Sequence, residues 1–422
     1  MNVWLVTIGE PLPIGDTGNR LLRAGLLAEA LLQRGHNVTW WSSTFDHFQR
    51  KHWFQSDKEI QIQPNLKLKL LHGVGYSKNM SLQRMFDHAQ IAWKFRKQAR
   101  RESPPDVIHC SMPPIELALA VANFGKARKI PTVLDMRDMW PDIFLELFPK
   151  SIQPCFKILL FPWFYMLRKA CCRATAIIGM TPFFVDWGLS YAGRVKRTWD
   201  RDFPFGYPEK VPSPEALQEA EYFWDRHGVL ADRKEFVICF FGAIGWHFGG
   251  DCFFSASKQL EQSGRGVKFV FCGIGDALES YRAQGKGNPN LLFPGWVDQA
   301  KIWTLMRRSK AGLAHYRKSK NLEGNLTNKP IEYLSAGLPI LTNVSGYLQG
   351  LLEQHGCGLF YPENQPDDLF SRISLLYDNP GFRDQMSNNA SRLFQERFSA
   401  KKVYREISEY LERLALENPL TK

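Results

Sequence analysis

The segment Gly324 to Leu341 (GNLTNKPIEYLSAGLPIL) sets a lysine and a glutamate three residues apart beside a helix-start proline. Pro330 at a first helical position and Gly337 as a stop predict a helix over 330–336, with Asn328, Lys329 and Glu332 near its N-terminal side. A carboxylate there can accept hydrogen bonds from vicinal ribose hydroxyls, and a lysine can meet phosphate charge. Ordinary capping with a surface ion pair would use the same residues. Two glycine-rich stretches, Gly15 to Arg20 (GDTGNR) and Gly242 to Gly250 (GAIGWHFGG), each follow an apolar run and precede an amphipathic one. Glycine permits close backbone approach, and the next helix start offers unpaired N–H groups to an anion. Neither stretch continues as Gly-Lys-Ser/Thr, the second completes no G-x-G-x-x-G, and ligand-free turns share this composition. Arg137-Asp138 closes another apolar run and on chemistry alone suits a structural ion pair beside Trp140, and His109 suits a core edge better than a cleft.

The elements that would position these residues alternate as strand and helix, which predicts parallel sheets. Strand candidates in the first half are 3–8, 37–42, 66–71, 107–110, 132–136 and 176–179, with a helix between Gly18 and Gly35. The second half restarts the pattern at 236–241, 267–272, 291–293, 311–315, 339–342 and 358–360, with Gly273-Ile274-Gly275 after its second strand. Residues 199–214 (WDRDFPFGYPEKVPSP) concentrate Pro, Gly and charge and read as a linker. Residues 399–416 place Val403, Ile407, Tyr410, Leu411 and Leu414 on one helical face. The expected organisation is therefore an α/β domain over 1–205, a second over 206–398 and a final helix over 399–422. Two sheets of this kind bind ligands at strand carboxyl ends, which suggests a cleft between them.

A chain of 422 residues with net charge +12 invites an acidic partner. Residues 1–200 hold 27 Lys and Arg against 16 Asp and Glu, so nearly all the excess lies in the first half. There, 84–101 (RMFDHAQIAWKFRKQARR) is basic and partly amphipathic, and 155–173 (CFKILLFPWFYMLRKACCR) is apolar and closed by Arg168, Lys169 and Arg173. Such segments suit an interface with anionic lipid; the alternative is one solvated helix and one buried helix. Nucleic acid is not the expected partner, because the basic residues come without an RNA-binding aromatic motif, a zinc finger or a helix-turn-helix pattern. The start Met1 to Gly9 reads as a buried strand rather than a signal peptide, and no run reaches the ~18 apolar residues of a spanning helix. Eight scattered cysteines, without C-x-x-C or zinc-ligand spacing, read as free thiols in a cytoplasmic protein with no metal.

The order of motifs resembles the GT-B glycosyltransferases of family 4, retaining enzymes of bacterial surface-polysaccharide assembly. It runs from Gly35-His36-Asn37-Val38-Thr39 through Pro105-Asp106-Val107-Ile108-His109 and Arg137-Asp138-Met139-Trp140-Pro141 to Phe241-Gly242 and Gly273-Ile274-Gly275. It ends with Phe293-Pro294-Gly295-Trp296-Val297, Lys329 to Pro339, and Gly356-Cys357-Gly358-Leu359. The resemblance implies two Rossmann-like domains facing across a cleft, with the final helix crossing back to the first. It implies that the second domain binds a nucleotide sugar as substrate, without a separate cofactor. Trp296 and Val297 would lie beside the base, Glu332 at the ribose, the Gly242–Gly245 turn at the diphosphate, and Gly273 and Gly275 in the same donor site. Gly18 and Asn19 would approach the donor phosphate, while Arg137 and Asp138 would attend the sugar and the acceptor. The family's usual turn cations are replaced here by Ala243 and Phe248, which leaves Lys329, His247 and Arg317 as sources of charge. Its usual first glutamate falls on Gly324, with Glu323 one residue away. The expected activity is sugar transfer to a lipid-linked or polysaccharide acceptor by a peripheral protein on the inner face of the cytoplasmic membrane. A nucleotide-sugar epimerase of the same fold, or a degenerate binding partner of a transferase, are the alternatives.

Overall fold

The computed structural model describes residues 1–14, 20–231, 235–245 and 248–420. The chain forms two compact units, Met1–Pro204 with Lys401–Lys422, and Phe205–Ala400. The strands of the first are β1 (Asn2–Val6), β2 (Asn37–Ser43), β3 (Phe45–Asp46), β4 (Lys51–His52) and β5 (Lys58–Gln63), followed by β6 (Leu66–Leu71), β7 (Val107–Met112), β8 (Thr132–Met136), β9 (Ala176–Gly179) and β10 (Arg201–Asp202). Eight of them form one sheet in the order β10-β9-β8-β7-β1-β2-β6-β5, parallel except for the edge strand β5, while β3 and β4 pair as a small hairpin. The strand order reverses between β1 and β7.

The second unit contains β11 (Phe236–Phe241), β12 (Val267–Cys272), β13 (Leu291–Gly295), β14 (Ala311–Ala314), β15 (Ile340–Thr342) and β16 (Gly358–Phe360). All six are parallel, in the order β13-β12-β11-β14-β15-β16. The order reverses between β11 and β14, and in such sheets ligands bind outside the strand carboxyl ends at that point. Every residue of β11 is buried, with Val237, Cys239 and Phe241 in one core cluster and Phe236, Ile238 and Phe240 in another. An unbroken apolar run is what a strand covered on both faces requires.

Proline and charge account for the departures from the sequence expectations. The apolar stretch 155–173 is two helices, Gln153–Leu159 and Phe161–Arg173, because Pro162 lacks an N–H and fits only the first turn of the second. The helix expected over 330–336 runs Asn328–Ser335, so Pro330 is its third residue. The edge strand β5 (KEIQIQ), absent from the sequence expectation, is little buried and so carries no strong apolar signal. The final helix, Ala400–Glu417, is tied to the first unit by Arg34, whose Nε and Nη2 donate to Glu412 at 2.5 and 2.7 Å, and by Tyr410 Oη donating to Trp199 O at 2.8 Å. All eight cysteines are free thiols.

Candidate functional site

At the carboxyl ends of β11, β12 and β13 the sheet hydrogen bonding continues into glycine turns. Gly242 N donates to Cys272 O at 2.9 Å, Gly273 N to Gly295 O at 2.7 Å, and Ile244 N to Ile274 O at 2.9 Å. A Cβ on Gly273 would run into the Gly242 carbonyl, and one on Gly275 into the Ile244 carbonyl, so the two turns touch backbone to backbone. Gly245 is buried and accepts from Phe248 N at 2.9 Å. Gly242 has φ +149°, and a Cβ there would overlap Lys329 Nζ.

Lys329 is carried to that place by β14. The Tyr333 ring covers Gly312, where any Cβ would collide with it, and Tyr333 Oη donates to Leu313 O at 3.1 Å. The helix Asn328–Ser335 is thereby fixed with Lys329 in its first turn. Lys329 Nζ lies 4.4 Å from the Phe240 ring centre and 4.6 Å from that of Tyr316, across the β11/β14 switch point. Among the described residues no carboxylate forms an ion pair with it. Glu332 lies in the same helix, buried, with partners of its own.

The other end of the turn is held by His315, to which the sequence assigned no role. Its Nε2 lies 2.9 Å from Gly249 O and its Nδ1 2.7 Å from Tyr361 Oη. Burial lowers its pKa to about 4, so the imidazole is neutral near pH 7. A carbonyl only accepts, so Nε2–H donates to Gly249 and Nδ1 accepts from the Tyr361 hydroxyl. Arg317, two residues on and exposed, packs its stem at Gly249, where a Cβ would lie 3.1 Å from Arg317 Cγ. Phe248 is buried against Phe240, Phe253, Phe271 and Tyr281, so its side chain belongs to the core. Lys329 thus lies at Gly242 and Arg317 at Gly249. Beyond these glycines stand Trp296, 69% exposed after β13, and Ile274, 62% exposed after β12, whereas the Val297 side chain is buried. An exposed indole beside a polar backbone floor can take a flat ring.

In the first unit, Arg137 pairs with Asp135 and Glu10 rather than with its neighbour Asp138. Asp135, fully buried in β8, accepts from Arg23 Nε and Nη2 at 2.7 and 3.1 Å and from Arg137 Nε at 3.1 Å. Arg137 Nη1 donates to Glu10, whose other oxygen accepts Ala24 N at 2.8 Å at the start of the helix Arg23–Gln33. Burial alone would raise the Asp135 carboxyl, but Arg23, Arg137 and His109 outweigh it and hold it well below the usual carboxylate range. His109 Nε2 lies 3.6 Å from Asp135, and burial lowers its pKa to about 4. Arg137 Nη2 is buried without a hydrogen-bond partner among the described residues. Asp138 is half-buried and has partners of its own. Gly18, Asn19 and His247 lie outside the described residues.

The basic helix runs Leu82–Ala99, with Leu82, Phe86 and Trp93 exposed along one face and Arg96, Lys97 and Arg100 exposed at its C-terminal end. The helix Gln153–Leu159 buries none of its residues and exposes Ile158 and Leu159, followed by Phe161 and Tyr165. Among the described residues no helix is long and apolar enough to cross a membrane.

A family profile described as Glycosyltransferase Family 4 matches residues 23–197, and one described as Glycosyl transferases group 1 matches residues 225–393. Comparison with curated proteins found no match. Among solved structures, sucrose-phosphate synthase from Thermosynechococcus elongatus superposes with a TM-score of 0.73 at 13% identity, over 99% of each chain. Anabaena Alr3699/HepE in complex with UDP and glucose gives 0.67 at 15% identity, over 98% of this chain and 100% of that one. WaaG, a glycosyltransferase involved in lipopolysaccharide biosynthesis, gives 0.62 at 13% identity, over 97% and 99%.

Proposed function

Because the chain belongs to the GT-B glycosyltransferases of family-4 type, we propose that it moves a sugar, with retention, from a nucleotide-sugar donor to a lipid-linked or polysaccharide acceptor in cell-surface glycan synthesis. The observation that carries the donor assignment is Lys329 Nζ, set without a carboxylate partner beside Gly242 at the β11/β14 switch point. The diphosphate would lie over the turn between Lys329 and Arg317, the base beside Trp296 and the ribose at Glu332. HepE in complex with UDP makes uridine donors the first to test.

In the proposed reaction the bond from the sugar's anomeric carbon to the diphosphate breaks. The acceptor oxygen bonds to that carbon on the same face, and the acceptor hydroxyl proton passes to the departing phosphate. The protein supplies position and positive charge where negative charge grows. Arg137 and Asp138 would stand at the sugar and acceptor, with Arg137 oriented by Asp135 and Glu10 and its Nη2 left to donate. The exposed apolar and basic residues of 82–100 and 152–165 support peripheral binding to an anionic membrane.

A panel of nucleotide sugars incubated with a lipid-linked acceptor tests this reading, the anomeric configuration of the product being read by NMR. One donor giving a retained glycosidic product supports it. Epimerised donor without transfer, or no donor binding across the panel, overturns it.

A further inference from the structure

Two guanidinium groups share one aromatic ring in the first unit. Arg50 and Arg84 place their Cζ atoms 5.2 and 5.1 Å from the Tyr76 ring centre, and Arg84 also lies 4.8 Å from that of Trp140. Asn79 holds both, its side-chain oxygen accepting from Arg50 Nη2 and its backbone carbonyl from Arg84 Nη1 at 2.9 Å. Arg50 Nη1 lies 3.4 Å from His47 Nδ1, which also bonds Tyr76 Oη at 2.7 Å, and Arg84 Nε donates to His88 Nε2 at 3.4 Å. Burial, with Arg84 adding to it, lowers His47 to about 4 and His88 to about 3, so neither adds charge near pH 7.

Among the described residues no carboxylate forms an ion pair with either arginine; Asp138 and Asp87 act on Arg84 only from a distance. Arg50 and Arg84 repel one another, and an anion set between them would offset that repulsion. The same segments expose large apolar side chains: Phe48 at 62%, Met80 at 58%, Leu82 at 81% and Phe86 at 63%. Phe48 and Met80 directly follow His47 and Asn79, which bond the arginines, whereas Leu82 and Phe86, each two residues from Arg84, lie on the opposite side of the helix. An inorganic anion would use the cations and leave the apolar rim idle.

We infer that Arg50, Arg84 and Tyr76 bind the phosphate or diphosphate that joins lipid to glycan in the acceptor, and that Phe48 and Met80 take the start of its hydrocarbon chain. This rests on the lipid-linked acceptor class proposed above and gives it a place in the chain.

Calorimetric titration of the full chain with farnesyl diphosphate, inorganic pyrophosphate and a nucleoside diphosphate tests the site. Farnesyl diphosphate should bind at least tenfold tighter than pyrophosphate and resist displacement by the nucleoside diphosphate. Arg50→Gln should weaken both non-nucleotide probes at least tenfold. Phe48→Ser with Met80→Ser, at two exposed positions that leave the core intact, should remove only the advantage of farnesyl diphosphate. Equal affinity for the two probes, displacement by the nucleoside diphosphate, or unchanged binding in Arg50→Gln overturns the site. Transfer to a lipid acceptor with an unchanged acceptor KM in Arg50→Gln would overturn the site and leave the proposed activity standing. Arginine-dependent farnesyl diphosphate binding by a protein that transfers sugar to no lipid acceptor would support the site and sink the activity.

Discussion

If the proposed donor site is right, Lys329→Met should separate phosphate recognition from the rest of donor binding. The wild-type ammonium sits 4.4 and 4.6 Å from two ring centres with no ion pair among the described residues, so its charge is available to a ligand. Methionine keeps an apolar stem of similar length between Phe240 and Tyr316 and removes only the charge. The two cation–π contacts are worth about 0.5–1 kcal/mol each, partly offset by thioether packing, so stability should fall by about 1 kcal/mol or less. A hydrogen bond to a charged group contributes about 1.5–3 kcal/mol, which is roughly a 10- to 150-fold loss of diphosphate affinity. Titration calorimetry with a nucleoside and its diphosphate reads the difference. The nucleoside should bind wild type and variant alike, while the diphosphate should weaken by that factor and lose part of its salt dependence. An equal loss for both ligands, or none for either, would refute the placement of the diphosphate at Lys329. In turnover, a raised donor KM alone marks a contact of equal strength in ground and transition states, and a fall in kcat marks one that tightens as charge develops.

The two turn glycines should fail in different ways. Ala at Gly242 meets the movable end of Lys329 and should weaken the donor, whereas Ala at Gly273 meets the Gly242 backbone and should cost about 1–3 kcal/mol in urea denaturation; matching phenotypes would contradict this. Asp135→Asn leaves Arg23 and Arg137 without the carboxylate they share, so a loss of about 3–5 kcal/mol is expected, and one below about 1 kcal/mol would show the cluster is not structural. Glu412 is lowered from 4.5 to about 2, first by the Arg34 hydrogen bond. A depressed carboxyl gives stability that is present above its unfolded pKa and lost as pH falls through the folded one. The wild-type melting temperature should therefore drop more steeply than that of Glu412→Gln between about pH 5 and pH 2, and parallel curves would exclude the pair as a tether.

The parallel sheets were legible because strands buried on both faces must be apolar runs, as in Phe236–Phe241, and because glycines mark where such strands end. Lys329 was legible from its place before Pro330. The Glu10, Arg23, Asp135 and Arg137 network was not: its members lie 112 and 127 positions apart, and no spacing joins them. One signal did exist, since Asp135 interrupts the apolar strand TVLDM, and a buried charge needs a partner. The segment 155–173 was ambiguous because composition measures how apolar a helix is and not which way it faces. Pro162 fixed the break, but only tertiary packing leaves Ile158 and Leu159 outside.

Placement divides the positive charge of the first half into two populations. Arg23, Arg34, Lys69, Arg137 and Arg194 are matched by Asp135, Glu412, Glu59, Glu10 and Asp200, and their charge goes no further than the fold. Arg50 and Arg84 lack such carboxylates among the described residues, as do Arg96, Lys97 and Arg100. Arg96, Lys97 and Arg100 fall on the helix face that exposes Leu82, Phe86 and Trp93, whereas Arg84 lies on the other side of the helix and shares the Tyr76 ring with Arg50. Lys94, on the same helix, donates to Asp57 at 2.6 Å. Reversing Lys94 would therefore break an ion pair and report on folding, whereas reversing Arg96, Lys97 and Arg100 would act on charge that faces outward and report on docking. The proposed diphosphate site of the second unit would need no such excess, since Lys329 and Arg317 would supply its charge. On the proposed function, a basic first unit and a nearly neutral second unit are what an acceptor on an anionic membrane and a locally clamped diphosphate would each require.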